Sequence, residues 1–475
     1  RVARNRARLG NLRLPEMAEA LAVARGGAAK KRPPAQRGVR KSARAAAPVG
    51  PPRRSERQRG REAALAAGIE RENRDGSVQL AGGAAARFAA GVKVEPAPPP
   101  PPPRPSGPLP FGSLNGEPES DARFLKTLQV GGRTLADRAR EARRQGTSTE
   151  ELSDGCLGLA LDDVAKVTRQ GVTHLAFHPR SDICVVAAGD KDGHVGLWNF
   201  GAGDGEDAPG EDGVLLTRPH LEYVSGLHWS AGGRLVTSSY EGTVRSLDVE
   251  AGVSEEVLNW EGFRCSAFDF AEPGGSGGQI YASGTNGCLV LVDPRLKQGR
   301  SEEYVLHEKK VNTVSVDPGG SGLLATSSQG EVCVWDVRRL GAKAVRTLPH
   351  ARACQAAYFA PDGSHRLLTT CYDDCLRVFG PKGTQPEVRI RHNNQTGRWL
   401  LPFRAAWTPD AQGLVVGSLR REVEIFCSTS GDARARYSSE LQTAVSSRHA
   451  TDPSRRMVAA ATASGRVHIY REAAT

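Results

Sequence analysis

From residue 171 to residue 470, branched apolar residues alternate with small polar ones in short runs, and Pro, Gly, Asn or Asp closes each run. Leu323-Leu324-Ala325-Thr326-Ser327 is followed, after Gln329-Gly330, by Val332-Cys333-Val334-Trp335. Short runs with frequent turn residues predict strands and not helices. The strand groups recur as units 172–200, 223–250, 264–295, 311–338, 353–380, 403–427 and 443–470. Their last strands end on Trp198, Leu247, Val292, Trp335, Phe379, Phe426 and Tyr470, at intervals of 49, 45, 43, 44, 47 and 44 residues. Repeats of about 40–45 residues with several short strands each predict an all-β chain folded as a seven-bladed β-propeller.

Details of the repeat sharpen this into a WD-repeat propeller. Asp192-Gly193, Glu241-Gly242, Asn286-Gly287 and Gln329-Gly330 occupy the hairpin tips, where Gly supplies the positive φ of a two-residue turn. The stretch 157–168 (LGLALDDVAKVT) reads as a strand lying before the first unit. It is predicted to complete the last blade, which would close the ring and remove its open edge. His220, His307 and His350 each stand four residues before an inner-strand position, Val224, Val311 and Cys354. That regularity predicts hydrogen bonding within the blade, not catalysis.

The N-terminal part is of another kind. Residues 1–60 hold 17 Lys+Arg against 3 Glu, while the remainder holds 47 against 50, so the net charge of +11 originates in the arm. Its Arg/Ala/Pro-rich composition cannot bury a core. A proline run within 96–110 predicts a stiff spacer, and 124–144 predicts a short helix. The division is therefore 1–150, a disordered basic and proline-rich arm, and 151–475, the propeller. The arm suits a polyanion or serves as a nuclear-import signal.

Motifs of catalysis are missing. No phosphate-cradling Lys accompanies Gly274-Gly275-Ser276-Gly277-Gly278, no His-Glu-x-x-His or nucleophile elbow occurs, and Asp373-Asp374 occupies a turn. The nine cysteines are sparse and several lie in strands (Cys184, Cys288, Cys333, Cys427), which fits a reducing compartment. Cys371 and Cys375 have no second pair at metal spacing, so neither metal nor cofactor is predicted. No apolar run reaches the about 18 residues of a membrane helix. The reading is a non-enzymatic binding platform.

Two decorations rise above the repeat. The run from Arg389 to Leu400 carries His392, Asn393, Asn394, Gln395, Arg398 and Trp399, a mixture able to hydrogen-bond base edges, stack and neutralise phosphate. Equally, the Asn pair can build a turn and Trp399 can be a packing anchor. Blades three and four end in Asp-x-Arg, Asp293 to Arg295 and Asp336 to Arg338, which are either a docking pair or internal salt bridges.

Leu175-Ala176-Phe177-His178-Pro179, Tyr240-Glu241-Gly242-Thr243-Val244-Arg245 and above all His392-Asn393-Asn394-Gln395-Thr396-Gly397-Arg398-Trp399 carry a resemblance across the propeller. The chain resembles the damage-associated WD-repeat family, that of WD repeat-containing protein 76 and the fungal changed mutation rate protein. Arg53 to Gly60 is similar to the basic motif of that family's arm. More distantly it resembles the small subunit of the UV-damaged-DNA-binding complex, but without the apolar wedge that subunit inserts into duplex. The resemblance implies a nuclear protein of the DNA-damage response. It implies DNA or chromatin contact through Lys191, Tyr240, Lys309, Lys310 and the 392–399 loop. It also implies docking to a cullin-four ubiquitin ligase adaptor through Asp293, Arg295, Asp336 and Arg338, although Asn286 and Gln329 replace the usual turn Asp. The competing reading is a protein-interaction scaffold or ligase substrate receptor that does not touch DNA.

Overall fold

Seven antiparallel blades follow one another around a ring in the computed structural model. It describes residues 104–129 and 157–472 apart from 115, 117, 181–182, 202–212, 249–250, 276, 294–295, 297–298, 302 and 453–455. Within residues 1–100 it describes only the paired strands Glu70–Glu72 and Val78–Leu80. The basic arm 1–60 and the stretch 130–144 lie outside the described residues.

Each blade runs from an inner strand a, at the ring's axis, to an outer strand d. Inner strands include Val172–Phe177, Val224–Trp229, Cys265–Phe270, Thr313–Val316 and Ser446–Thr451. The last of these packs against the first and closes the ring. The 14-residue strand Arg346–Phe359 serves two blades. Its first half is the outer strand of blade 4 (Val332↔Leu348), and its second half is the inner strand of blade 5 (Ala356↔Thr370).

Blade 7 takes its outer strand from the chain ahead of blade 1. Val164–Lys166 pairs with Arg466–Glu472 in the register Val467↔Ala165, and Leu157–Gly158 extends the pairing at Arg471↔Gly158. Arg471 and Asp163 add a 2.7 Å ion pair. The expected closing strand is therefore in place.

Apolar side chains on facing sheets fill the space between blades. Val236 and Val244 of blade 2, for example, form one buried cluster with Phe268, Ile280 and Val290 of blade 3. Burying each such side chain contributes about 1.5–3 kcal/mol. The hairpin tips need the left-handed conformation. Gly193 has φ 86°, and a Cβ there would stand 2.1 Å from His220 O. Blades 5 and 6 place Asp374 (φ 60°) and Arg421 (φ 65°) in this role instead.

The segment Arg104–Gln129, read from sequence as part of the arm, folds against blades 1 and 2. Leu109–Pro110 pairs with the outer strand Val253–Asn259. Helix α1 (Pro118–Gln129) starts on a proline with Glu119 and Asp121 in its first turn, a favoured helix N-terminus. It buries Phe124, Leu125 and Leu128 among Val185, Leu197, Leu227 and Trp229. Arg245, wholly buried, donates to Pro105 O at 2.7 Å and Gly107 O at 2.9 Å.

Candidate functional site at the propeller mouth

Strand connectivity sorts the loops onto two faces. The b–c turns and d–a loops share one, and the c–d loops lie on the other. Lys191 and Tyr240 stand in b–c turns, and Lys309, Lys310 and the 392–399 loop stand in d–a loops, so these predicted contact residues share a face. Asp293, Asp336 and Arg338 follow c strands and lie opposite.

At the centre of the first face, Lys310 Nζ donates to the Tyr240 hydroxyl at 2.5 Å. Tyr240 stacks on Tyr223 with ring centres 4.8 Å apart, and Arg264 covers it at 5.6 Å. Arg264 also pairs with Glu222 at 2.8 Å. Beside this stack a pocket of about 500 Å³ is lined by Arg104, Arg218, Tyr240, Glu241 and Arg264 among others. Burial holds the Lys310 ammonium below its ordinary pKa, reinforced by Arg404 and Arg448.

Those two arginines are the functional candidates that sequence reasoning missed. Arg404, entering blade 6, donates to His174 Nε2 of blade 1 at 3.2 Å and to Asn312 O of blade 4 at 3.1 Å, and so reaches across the axis. Arg448, on the inner strand of blade 7, donates to Thr173 O at 2.6 Å and Pro402 O at 2.5 Å. Tyr223 and Tyr358 flank the pair. Burial, and then Arg404, push the Arg448 guanidinium down to about 10, so both remain charged at neutral pH. The available signal was an arginine near the start of an inner strand; Arg448 stands just past the bulge where other blades place His174, Gly226 or Ala356.

The 392–399 loop divides in two. His392, 7% exposed, spends Nδ1 on Asn394 Oδ1 at 2.7 Å and turns Nε2 toward Glu424 at 3.5 Å. Asn394 is buried and donates to Cys371 O, while its backbone N–H donates to Asp374. Both therefore tie the loop to the blade 5 turn. Asn393, Gln395, Arg398 and Trp399 face solvent; Trp399 is 81% exposed, with the Arg398 guanidinium 5.6 Å from its ring centre. Gln395 donates to Tyr372 O at 2.6 Å on the edge of a second pocket of about 530 Å³. Lys309 is exposed and Lys191 half-buried on other sectors of the face.

The regularly spaced histidines act inside their blades. His307 Nε2 meets Thr326 Oγ1 at 2.7 Å and its Nδ1 meets Glu331 at 2.9 Å, while Trp335 Nε1 donates to the same threonine at 2.8 Å. His307, Glu331 and Cys333 converge closely enough to hold a metal ion, yet both imidazole nitrogens are already engaged in this relay. His220 with Thr237 and His350 with Thr369 repeat it at 2.9 and 3.0 Å.

On the opposite face Arg338 is 74% exposed and forms a two-pronged pair with its own Asp336, each bond 2.8 Å. Those bonds hold the Asp336 carboxyl down at about 2. Asp293 is buried and accepts from Gln279 at 2.5 Å; Arg295 lies outside the described residues.

The repeat pattern described as WD domain, G-beta repeat matches residues 165–199 and 301–336. WD repeat-containing protein 76 of Xenopus laevis is 33% identical over 396 residues, which cover 80% of this chain and 67% of that protein. The Mus musculus protein of the same name is 31% identical over 382 residues, covering 76% and 60%. DNA damage-binding protein CMR1 of Yarrowia lipolytica is 27% identical over 379 residues, covering 66% and 68%. The chain thus spans between 59% and 67% of the length of the animal relatives it matches.

Proposed function

Since the chain belongs to the family of WD repeat-containing protein 76 and fungal DNA damage-binding protein CMR1, we propose that it is a nuclear, non-enzymatic propeller that binds DNA or chromatin in the DNA-damage response. The observation that carries this reading is the face on which Lys310, Tyr240, Tyr223 and Arg264 form one stacked, cationic cluster at the axis. Phosphates meet Lys191, Lys309 and Lys310 there, while Gln395, Arg398 and Trp399 reach toward bases. Phosphate contacts dominate affinity and make it fall with salt.

The test is a duplex titration of the full chain at two salt concentrations, against a Lys191→Glu/Lys309→Glu variant. The variant should bind more weakly, with a salt slope reduced by about 0.9 for each phosphate that is no longer neutralised. Unchanged affinity and slope would overturn the assignment and leave the scaffold reading, with any DNA affinity residing in residues 1–60.

We place docking to a cullin-four ligase adaptor on the opposite face, where Arg338 projects from blade 4. Arg338→Ala, with or without Arg295→Ala, should lose the adaptor in a pulldown and retain duplex binding. Retained capture by the double variant removes the docking reading.

A further inference from the structure

Three cationic side chains converge on the propeller axis without a carboxylate among them. Arg404 reaches in from blade 6, Arg448 from blade 7 and Lys310 from blade 4. Among the described residues their hydrogen-bond partners are backbone carbonyls, the His174 ring and the hydroxyls of Tyr240, Tyr358 and Tyr223, none of them a carboxylate. Acids elsewhere in the ring are already held, Glu241 by His220 and Thr243 and Asp269 by the backbone N–H groups of Phe270 and Val316. Buried charges in folded proteins are ordinarily paired, because taking an ion out of water without a counter-charge is costly.

A second observation is independent of charge. Arg404 Nε is buried and has no hydrogen-bond partner. Orphaned buried donors are rare in folded proteins and call for an explanation. Yet Arg404, Lys310, Tyr223, Tyr240 and Tyr358 are only half-buried, so solvent reaches them. The mouth thus brings together planar guanidinium donors, of which that of Arg448 is buried, an ammonium and phenol hydroxyls.

We propose that this mouth is a binding site for a phosphate-class oxyanion, held by Arg404, Arg448 and Lys310 with the Tyr240 hydroxyl beside it. A tetrahedral oxyanion accepts several N–H donors at once, and arginine forks match it better than they match a spherical halide. Such an anion would supply the missing counter-charge and bring an acceptor to the Arg404 side chain. The phosphate can arrive free in solution or on a nucleic-acid backbone. The site does not require that the rim residues Lys191, Lys309 and Arg398 hold a duplex.

Calorimetric titration of the full chain with pyrophosphate, at constant ionic strength in chloride, tests the site. Wild type should show saturable binding and a raised thermal midpoint. Arg404→Gln and Lys310→Met should each weaken binding about tenfold or more. The exposed Lys343→Met, on the opposite face, should not. Lys310→Met keeps the test open if the arginine variants fold poorly, because Lys310 contributes one bond, to Tyr240. Absence of saturable binding to wild type, or equal binding by Lys310→Met, overturns the proposal. A duplex arm assigns the source. If pyrophosphate displaces duplex and Arg404→Gln loses both, the backbone delivers the phosphate. If Arg404→Gln loses pyrophosphate alone, the ligand is a free anion.

Discussion

Arg404 donates to His174 across 3.2 Å although 230 residues separate them in the chain. With its second bond, to Asn312 O, one side chain braces blades 1, 4 and 6 at the axis. The same contact governs the imidazole. Burial, then Arg404 and Arg448, hold the His174 pKa well below its ordinary value. Arg404→Met should therefore raise that pKa while leaving it depressed by burial, as read from the ring's NMR titration. The drop in stability should be modest, since relief of repulsion with Arg448 offsets the bonds lost to His174, Asn312 O and Tyr358. An unmoved imidazole titration would show that the guanidinium does not sit against the ring.

The relay of blade 4 gives a sharper stability test. Thr326 Oγ1 meets both His307 Nε2 and Trp335 Nε1. Thr326→Val keeps the volume but leaves two buried polar groups without partners, at a cost of about 1–3 kcal/mol each before relaxation. Urea unfolding should show the midpoint fall at an unchanged slope. A variant as stable as wild type would mean that the relay is not energetically coupled.

These elements show why the fold can be read in advance. The period of the anchors, the glycine tips and the closing strand are visible because each blade must solve the same packing problem, and repetition averages out local ambiguity. The pattern places helix α1 several residues too late because its apolar face answers to blades 1 and 2, not to its own sequence. The site is less legible. Lys310 and Tyr240 both stand out in the sequence, and the structure bonds them. His392 has the chemistry of a contact residue but turns inward, because it stands where His220, His307 and His350 stand in other blades. Arg404 and Arg448 escape notice because nothing local marks the axis: residues remote in sequence meet there only once the ring closes.

Ring closure itself is testable through the borrowed strand. Val164–Lys166 supplies the outer edge of blade 7, and Asp163 pairs with Arg471. Deleting residues 157–168 should expose that edge and abolish the cooperative thermal transition, since the last blade is what joins the ends of the ring. A melting curve identical to that of the full chain would contradict it.

Acid should unfold this propeller from an unusually high pH. Burial holds His220, His228, His307 and His350 below the ordinary histidine value, and brings His449 to about 3. These rings are neutral in the folded chain but take up protons near pH 6.5 once unfolded. The unfolded state therefore binds more protons between pH 6.5 and the folded values, and stability falls as pH drops through that window. Each strongly depressed ring contributes a slope of up to about 1.4 kcal/mol per pH unit. Glu241, whose carboxyl is held at about 2 against burial by His220 and Thr243, adds a loss in the same direction below about pH 4.5. Urea midpoints measured from pH 7.5 to pH 5 should decline steadily, and His449→Gln should flatten the decline. A profile level across that range would mean that these rings are solvated and the inner strands loosely packed.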